Sequence, residues 1–301
     1  MIRFTDMTEE QKEKIKRFVN YYDDSTIKLY TEALAKQRSI VSNEPYYEAY
    51  LNIIKRTARL IPELGCYNSI SASIVFEYLL WNGYLSKDKD LVYSITDRIN
   101  NTTITGAYIM RGKSVCLNNA DMLTRVLKEM GNESYIMGCG VFPPKGLQRE
   151  YKPPIERKMI PERKNFIKKL VLSPFIKKIG NHAVTLTRVG ETYYIVDPTG
   201  LSFATINDVL KAKYIGFDLE MELKPWLMLA LDSGNKEEFI DTVLKSYLLS
   251  DHPIMSPAIV KDMYERVIDT CRRNHSLLDD FHDANRQDID TVCQTLTKVK
   301  I

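Results

Sequence analysis

Apolar positions recur at helical spacing through the first hundred residues. Thr8-x-x-Gln11 has the spacing of a capping box, and Ile15, Phe18, Val19 and Tyr22 follow it three and four apart. Asp24 is placed to cap a second helix carrying Ile27, Ala33 and Leu34. Pro45 opens a third, with Ala49, Tyr50, Ile53 and Ile54 on its apolar side, predicted to stop before Pro62. Asn68 opens a fourth, with Ile70, Ile74, Val75, Tyr78 and Leu79, which Gly83 ends.

The middle of the chain changes period. Thr103 to Met110 reads as a short strand, and Arg111 to Cys116 as a turn leading into a helix. Ala120, Leu123, Val126, Leu127 and Met130 mark the apolar side of that helix, and Gly131 supplies its stop. Ser134 to Gly140 reads as a strand. Asn181 to Val189 and Thr192 to Pro198 read as a hairpin around Gly190-Glu191. Beyond Pro198 the pattern turns helical again. Thr205-x-x-Asp208 starts a short helix, and Ser256-Pro257 opens another that carries Val260, Met263, Tyr264 and Val267.

This order predicts an α+β fold in three parts. Residues 1–64 form an N-terminal helical region, 65–218 a core with a helix on a small antiparallel sheet, and 219–301 a C-terminal helical region. Composition narrows the function classes. Eighteen Tyr, ten Phe and two Trp supply ample burial, which excludes global disorder. The 42 basic and 39 acidic residues leave +3, too balanced for a dedicated nucleic-acid binder. No apolar run reaches the roughly 18 to 20 residues of a membrane span. Met1 to Asp6 shows no secretory leader, and the five cysteines are scattered without a C-x-x-C pair. The reading is a cytoplasmic protein with reduced thiols and an open oligomeric state. Charge is uneven in one place. Residues 145–178 hold 11 basic and three acidic side chains, a net +8, and prolines interrupt them; segment 141–180 therefore reads as a basic insertion in the core.

Chemistry centres on Cys116, Arg111 and Lys113 lying just before it. At a helix start the unpaired N–H groups and the helix dipole favour a thiolate. A thiolate nucleophile needs a base and a group to hold that base. Of His182, His252, His275 and His282, only His182 falls on a predicted strand; the other three stand in helical or loop contexts with aspartates beside or near them and read as surface residues. Asp197 ends the partner strand, on the face of Tyr193 and Ile195. One bulge, or an adjacent-strand offset, brings it beside His182, where it can accept the Nδ1–H and set the tautomer. Cys139 ends the strand after the Cys116 helix and reads as a packing residue near the site. A metal on Cys116, Cys139 and His182 lacks a fourth ligand, so no metal and no cofactor is expected.

The order helix-start Cys, strand His, next-strand Asp resembles the transglutaminase-like superfamily of papain-type thiol enzymes, in its small microbial branch. The matching pieces are Gly112-Lys113-Ser114-Val115-Cys116-Leu117-Asn118-Asn119-Ala120 through Lys128-Glu129-Met130-Gly131, then Asn181-His182-Ala183-Val184, then Tyr194-Ile195-Val196-Asp197-Pro198-Thr199. The resemblance spans about residues 70 to 200. It implies a papain-like core with Cys116 as nucleophile, His182 as base and later acid, Asp197 as its orienting partner, and the Cys116 N–H in an oxyanion hole. In many relatives a second donor comes from upstream, where Trp81 and Tyr84 stand. Val184 replaces a tryptophan common in relatives, Leu117 replaces an aromatic residue, and the Cys-to-His interval is lengthened by the insertion.

The implied function is covalent catalysis through an acyl-Cys intermediate, with hydrolysis of an amide or peptide bond as first choice. Transfer of the acyl group to an amine uses the same intermediate. The substrate is a peptide, protein or acyl group, with acidic ones favoured by the basic insertion. An inactive binding module on the same fold is the alternative from another class. A phosphate or nucleic-acid binder acting through residues 145–178 is disfavoured, since it lacks RNA-reading motifs and a stacking platform.

Overall fold

The computed structural model describes residues 8–10, 46–88, 92–93, 106–142, 180–190, 192–199, 202–205, 214–215, 220–228 and 257–298. The helices predicted from Thr8 and Asp24 fall almost wholly outside these residues, as does the helix predicted from Thr205. Five α-helices are described: α1 (Tyr46–Glu63), α2 (Ser69–Trp81), α3 (Cys116–Glu129), α4 (Pro257–Arg273) and α5 (His275–Lys298). Eight strands accompany them: β1 (Val92–Tyr93), β2 (Lys113–Ser114), β3 (Ser134–Phe142), β4 (Gly180–Val189), β5 (Thr192–Asp197), β6 (Ser202–Thr205), β7 (Tyr214–Ile215) and β8 (Glu220–Met228).

Helix boundaries follow local chemistry. Asn68 caps α2, its Oδ1 accepting from the N–H groups of Ile70 at 3.1 Å and Ser71 at 2.9 Å. Pro257 occupies the first position of α4. The α3 helix closes at Gly131, whose φ of +83° lets the Asn132 N–H reach back to the Leu127 carbonyl at 2.9 Å. One expected stop is overrun. The α1 helix continues through Pro62 to Glu63. A proline so close to the end removes a single N–H, and the Leu64 and Gly65 amides close the last turn on Leu60, Ile61 and Pro62.

Six strands form one sheet in the order β6-β5-β4-β3-β8-β7, all neighbours antiparallel, so the architecture is α+β. A separate parallel pair joins β1 to β2. The predicted hairpin is β4–β5, closed at Val189–Thr192 around Gly190, whose φ of +60° suits a two-residue turn. The sheet also corrects the boundary expected at residue 218. β8 lies beyond it and pairs with β3, so residues 219–301 are not all helical. The hydrophobic pattern hides this strand because Pro225 interrupts it. Pairing shifts register between Gly140–Lys224 and Gly138–Met228, on the stretch of β8 that holds Pro225, which has no N–H to donate.

The α3 helix lies on β3 and β4, α1 packs on α3, and α4 and α5 cover α2 and α1. Threonines seat α3 on the sheet. Thr185 Oγ1 meets Thr124 Oγ1 and donates to the Ala120 carbonyl, each at 3.2 Å. Fully buried Tyr50, Ile53, Ile74 and Phe76 anchor the main core, the last three each worth about 1.5–3 kcal/mol of apolar transfer. Between β1 and β2, where a strand is expected at 103–110, the described part is a 3-10 helix, Gly106–Arg111; residues 103–105 lie outside the described residues. Its run Ala107-Tyr108-Ile109-Met110 is buried on every side, so it carries no alternation to tell strand from helix.

Candidate active site

Cys116 is the first residue of α3. Strand β2 delivers the chain to that point in extended form, and Val115 continues it with φ −126° and ψ 170°. The turn is set by Asn118, whose Oδ1 accepts the Val115 N–H at 3.1 Å, one half of a capping box. The Cys116 side chain is partly exposed and packs with Leu117 on a small cluster of Ala120, Ile136 and Ala183. Arg111 and Lys113, just upstream, are exposed.

Asp197 is the last residue of β5 and is 3% exposed. Its Oδ1 accepts the Thr199 N–H at 2.8 Å, which folds Asp197-Pro198-Thr199 into a tight corner. That corner touches α3. Asn119, one turn into the helix, donates from Nδ2 to Thr199 Oγ1 at 3.2 Å.

His182 lies in β4, paired with Cys139 of β3; the side chains of both fall outside the described residues. The face of β4 turned to α3 is that of Ala183, in the cluster against which Cys116 packs, and Thr185. The β4–β5 register runs without a shift from Val189–Thr192 to Thr185–Val196. That pairing ends at Thr185–Val196, short of both His182 and Asp197. No bulge intervenes over these pairs. The α3 start thus meets β4 through Ala183 and the Asp197 corner through Thr199.

Two residues that the sequence pattern contains but gives no role, Asn119 and Thr199, make this link. A local signal existed for the latter, since Asp-x-Thr after a strand is a turn pattern. For Asn119 none existed, because its partner is 80 residues away. Asn119 Oδ1 and Ser114 Oγ, either side of Cys116, are buried and take no hydrogen bond among the described residues.

The other upstream candidates sit elsewhere. Trp81 is buried in the main core, and Tyr84 stacks on Tyr78 at 6.3 Å between ring centres. His282, expected at the surface, is 6% exposed. Its Nε2 lies 3.1 Å from the Ser86 carbonyl and its ring meets the edge of Tyr84, so α5 packing rather than solvent satisfies it. His275 is exposed, as expected.

Burial pushes the Cys66 and Cys293 thiols above their usual range, opposed by a Ser71 hydrogen bond at Cys66 and by Lys87 and Arg111 at Cys293. Cys271 is pushed up to about 12 by burial, then by Cys66. These thiols are held neutral. Among the described residues no group of three His, Cys, Asp or Glu side chains is arranged to hold a metal ion, and no helix is long and apolar enough to cross a membrane. Comparison with family models, curated proteins and solved structures finds no match to this chain.

Proposed function

We propose that the chain is a thiol enzyme of transglutaminase-like, papain-type arrangement, acting through an acyl-Cys116 intermediate. The observation that carries this reading is a partly exposed cysteine at the first position of a helix, with a buried Asp corner hydrogen-bonded to that helix one turn on. The helix start favours the thiolate, and the N–H groups there suit a developing oxyanion.

In this reading the Cys116 thiolate attacks the carbonyl carbon of an amide. The tetrahedral intermediate collapses with cleavage of the C–N bond, and His182 gives its proton to the departing amine. Water then attacks the thioester, His182 takes a proton from it, and the acid leaves as the thiolate is restored. An amine in place of water yields a new amide by the same steps. Asp197 holds His182 in the productive tautomer. The basic residues between 145 and 178 join β3 to β4 beyond the Cys139–His182 pair, which favours acidic acyl substrates.

Intact-mass spectrometry after exposure to p-nitrophenyl acetate tests the proposal. One acetyl group should appear on Cys116 and turn over. Cys116→Ala and His182→Ala should abolish turnover, and Asp197→Asn should slow it by a large factor. Acetylation spread evenly over the five cysteines would overturn it.

A further inference from the structure

Asn119 is poorly suited to its place by every local measure. It is fully buried in the second turn of α3, where asparagine is a weak helix former. Its Oδ1 takes no hydrogen bond among the described residues, so burying the amide leaves half of it unsatisfied. An apolar residue would fill the site at lower cost. Docking of the helix does not require it either, since Thr124, Thr185 and the Ala120 carbonyl already tie α3 to β4.

What Asn119 does provide is one end of a chain of two hydrogen bonds. Its Nδ2 holds Thr199 Oγ1 at 3.2 Å, and the Thr199 N–H holds Asp197 Oδ1 at 2.8 Å. The helix that begins at Cys116 is thereby linked to one particular oxygen of a carboxylate that is 3% exposed. We infer that Asn119 is a positioning residue, holding the Asp197 carboxylate in register with the Cys116 helix through Thr199. This rests on the thiol-enzyme reading above and assigns a residue that reading does not include. Polar groups kept at a cost to stability are characteristic of working sites. Here the cost falls on Asn119 Oδ1, and the return is a fixed relation between two elements 80 residues apart.

The test uses the full-length chain and iodoacetamide, with the rate of Cys116 alkylation followed by peptide mass mapping across pH. Asn119→Leu removes the donor and the unsatisfied oxygen together. Thr199→Val breaks the same bond from the other side and keeps the Thr199 N–H. Both should move the Cys116 reactivity profile up by about one pH unit, a roughly tenfold slower reaction near pH 6. Thermal unfolding midpoints should stay at or above that of the parent chain. Asp197→Asn should shift the profile similarly, and adding Asn119→Leu to it should change little, because both act through one carboxylate.

A parent profile that titrates like an ordinary thiol would remove the thiol-enzyme reading and this inference with it. A depressed parent profile that neither Asn119→Leu nor Thr199→Val moves would overturn the role of Asn119 alone. Failure of Asn119→Leu to fold would also overturn it, by showing that the bond serves stability.

Discussion

Gly106 begins the 3-10 turn packed on α3, and its requirement is space. A β-carbon there would lie 2.5 Å from Met122 Cβ, 2.6 Å from Tyr50 Oη and 3.0 Å from the Asn118 carbonyl oxygen. The first and third belong to the frame of α3 and do not yield unless the helix moves. Tyr50 is fixed too, being fully buried with its hydroxyl 3.1 Å from Asp121 Oδ2. The Gly106 N–H donates to that same oxygen at 2.6 Å, while Arg125 Nε holds the other at 3.0 Å. In Gly106→Ala the turn must therefore retreat from α3 and stretch a hydrogen bond to a buried carboxylate. Overpacking costs about 1–3 kcal/mol. Loss of a hydrogen bond to a charged group costs about 1.5–3 kcal/mol. Stiffening of the unfolded chain returns about 0.4–1 kcal/mol. The net expectation is a loss of about 2–5 kcal/mol. Urea unfolding followed by far-UV circular dichroism should show a midpoint lower by about 1 M with unchanged slope. Gly131→Ala is the control. It has positive φ but open space around the added carbon, so only about 1–2 kcal/mol of backbone strain applies. Equal midpoints for Gly106→Ala and the parent chain would refute the steric argument.

Two further expectations concern buried ionisable groups. Cys271 is held up to about 12 by burial, so between about pH 9 and that value the unfolded chain has lost a proton the native chain keeps, and stability falls with rising pH by up to about 1.4 kcal/mol per unit. Urea midpoints taken at about pH 8 and about pH 10.5 should separate less in Cys271→Ala than in the parent chain, and equal separations would contradict this. Tyr193 donates to Glu133 Oε1 at 2.6 Å, whereas Tyr135 reaches the same oxygen only at 3.3 Å. Burial and Glu133 push the Tyr193 phenol above its usual range, so it stays a donor at alkaline pH. Tyr193→Phe should cost about 1.5–3 kcal/mol and Tyr135→Phe about 0.5 kcal/mol in the same unfolding assay; equal losses would show that distance does not decide the matter.

Several features were legible in the chain because the interactions that create them are local. Asn68 reaches amides two and three residues on, Pro257 starts a helix where its missing N–H is harmless, Gly131 takes the backbone turn that ends α3, and Gly190 closes a two-residue hairpin. For the same reason the place of Cys116 at a helix start was readable from the residues around it. Tertiary structure decided what depends on residues far apart. Packing from all sides made Gly106–Arg111 a 3-10 turn, which alternation could not reveal. Pairing with β3 made a strand of Glu220–Met228 despite Pro225. The covering helix α5 buried His282 against the Ser86 carbonyl, 196 residues away. The link from Asn119 to Thr199 has the same origin. No periodicity or cap encodes it, because it arises only when a helix start and a strand end, distant in sequence, are brought into contact.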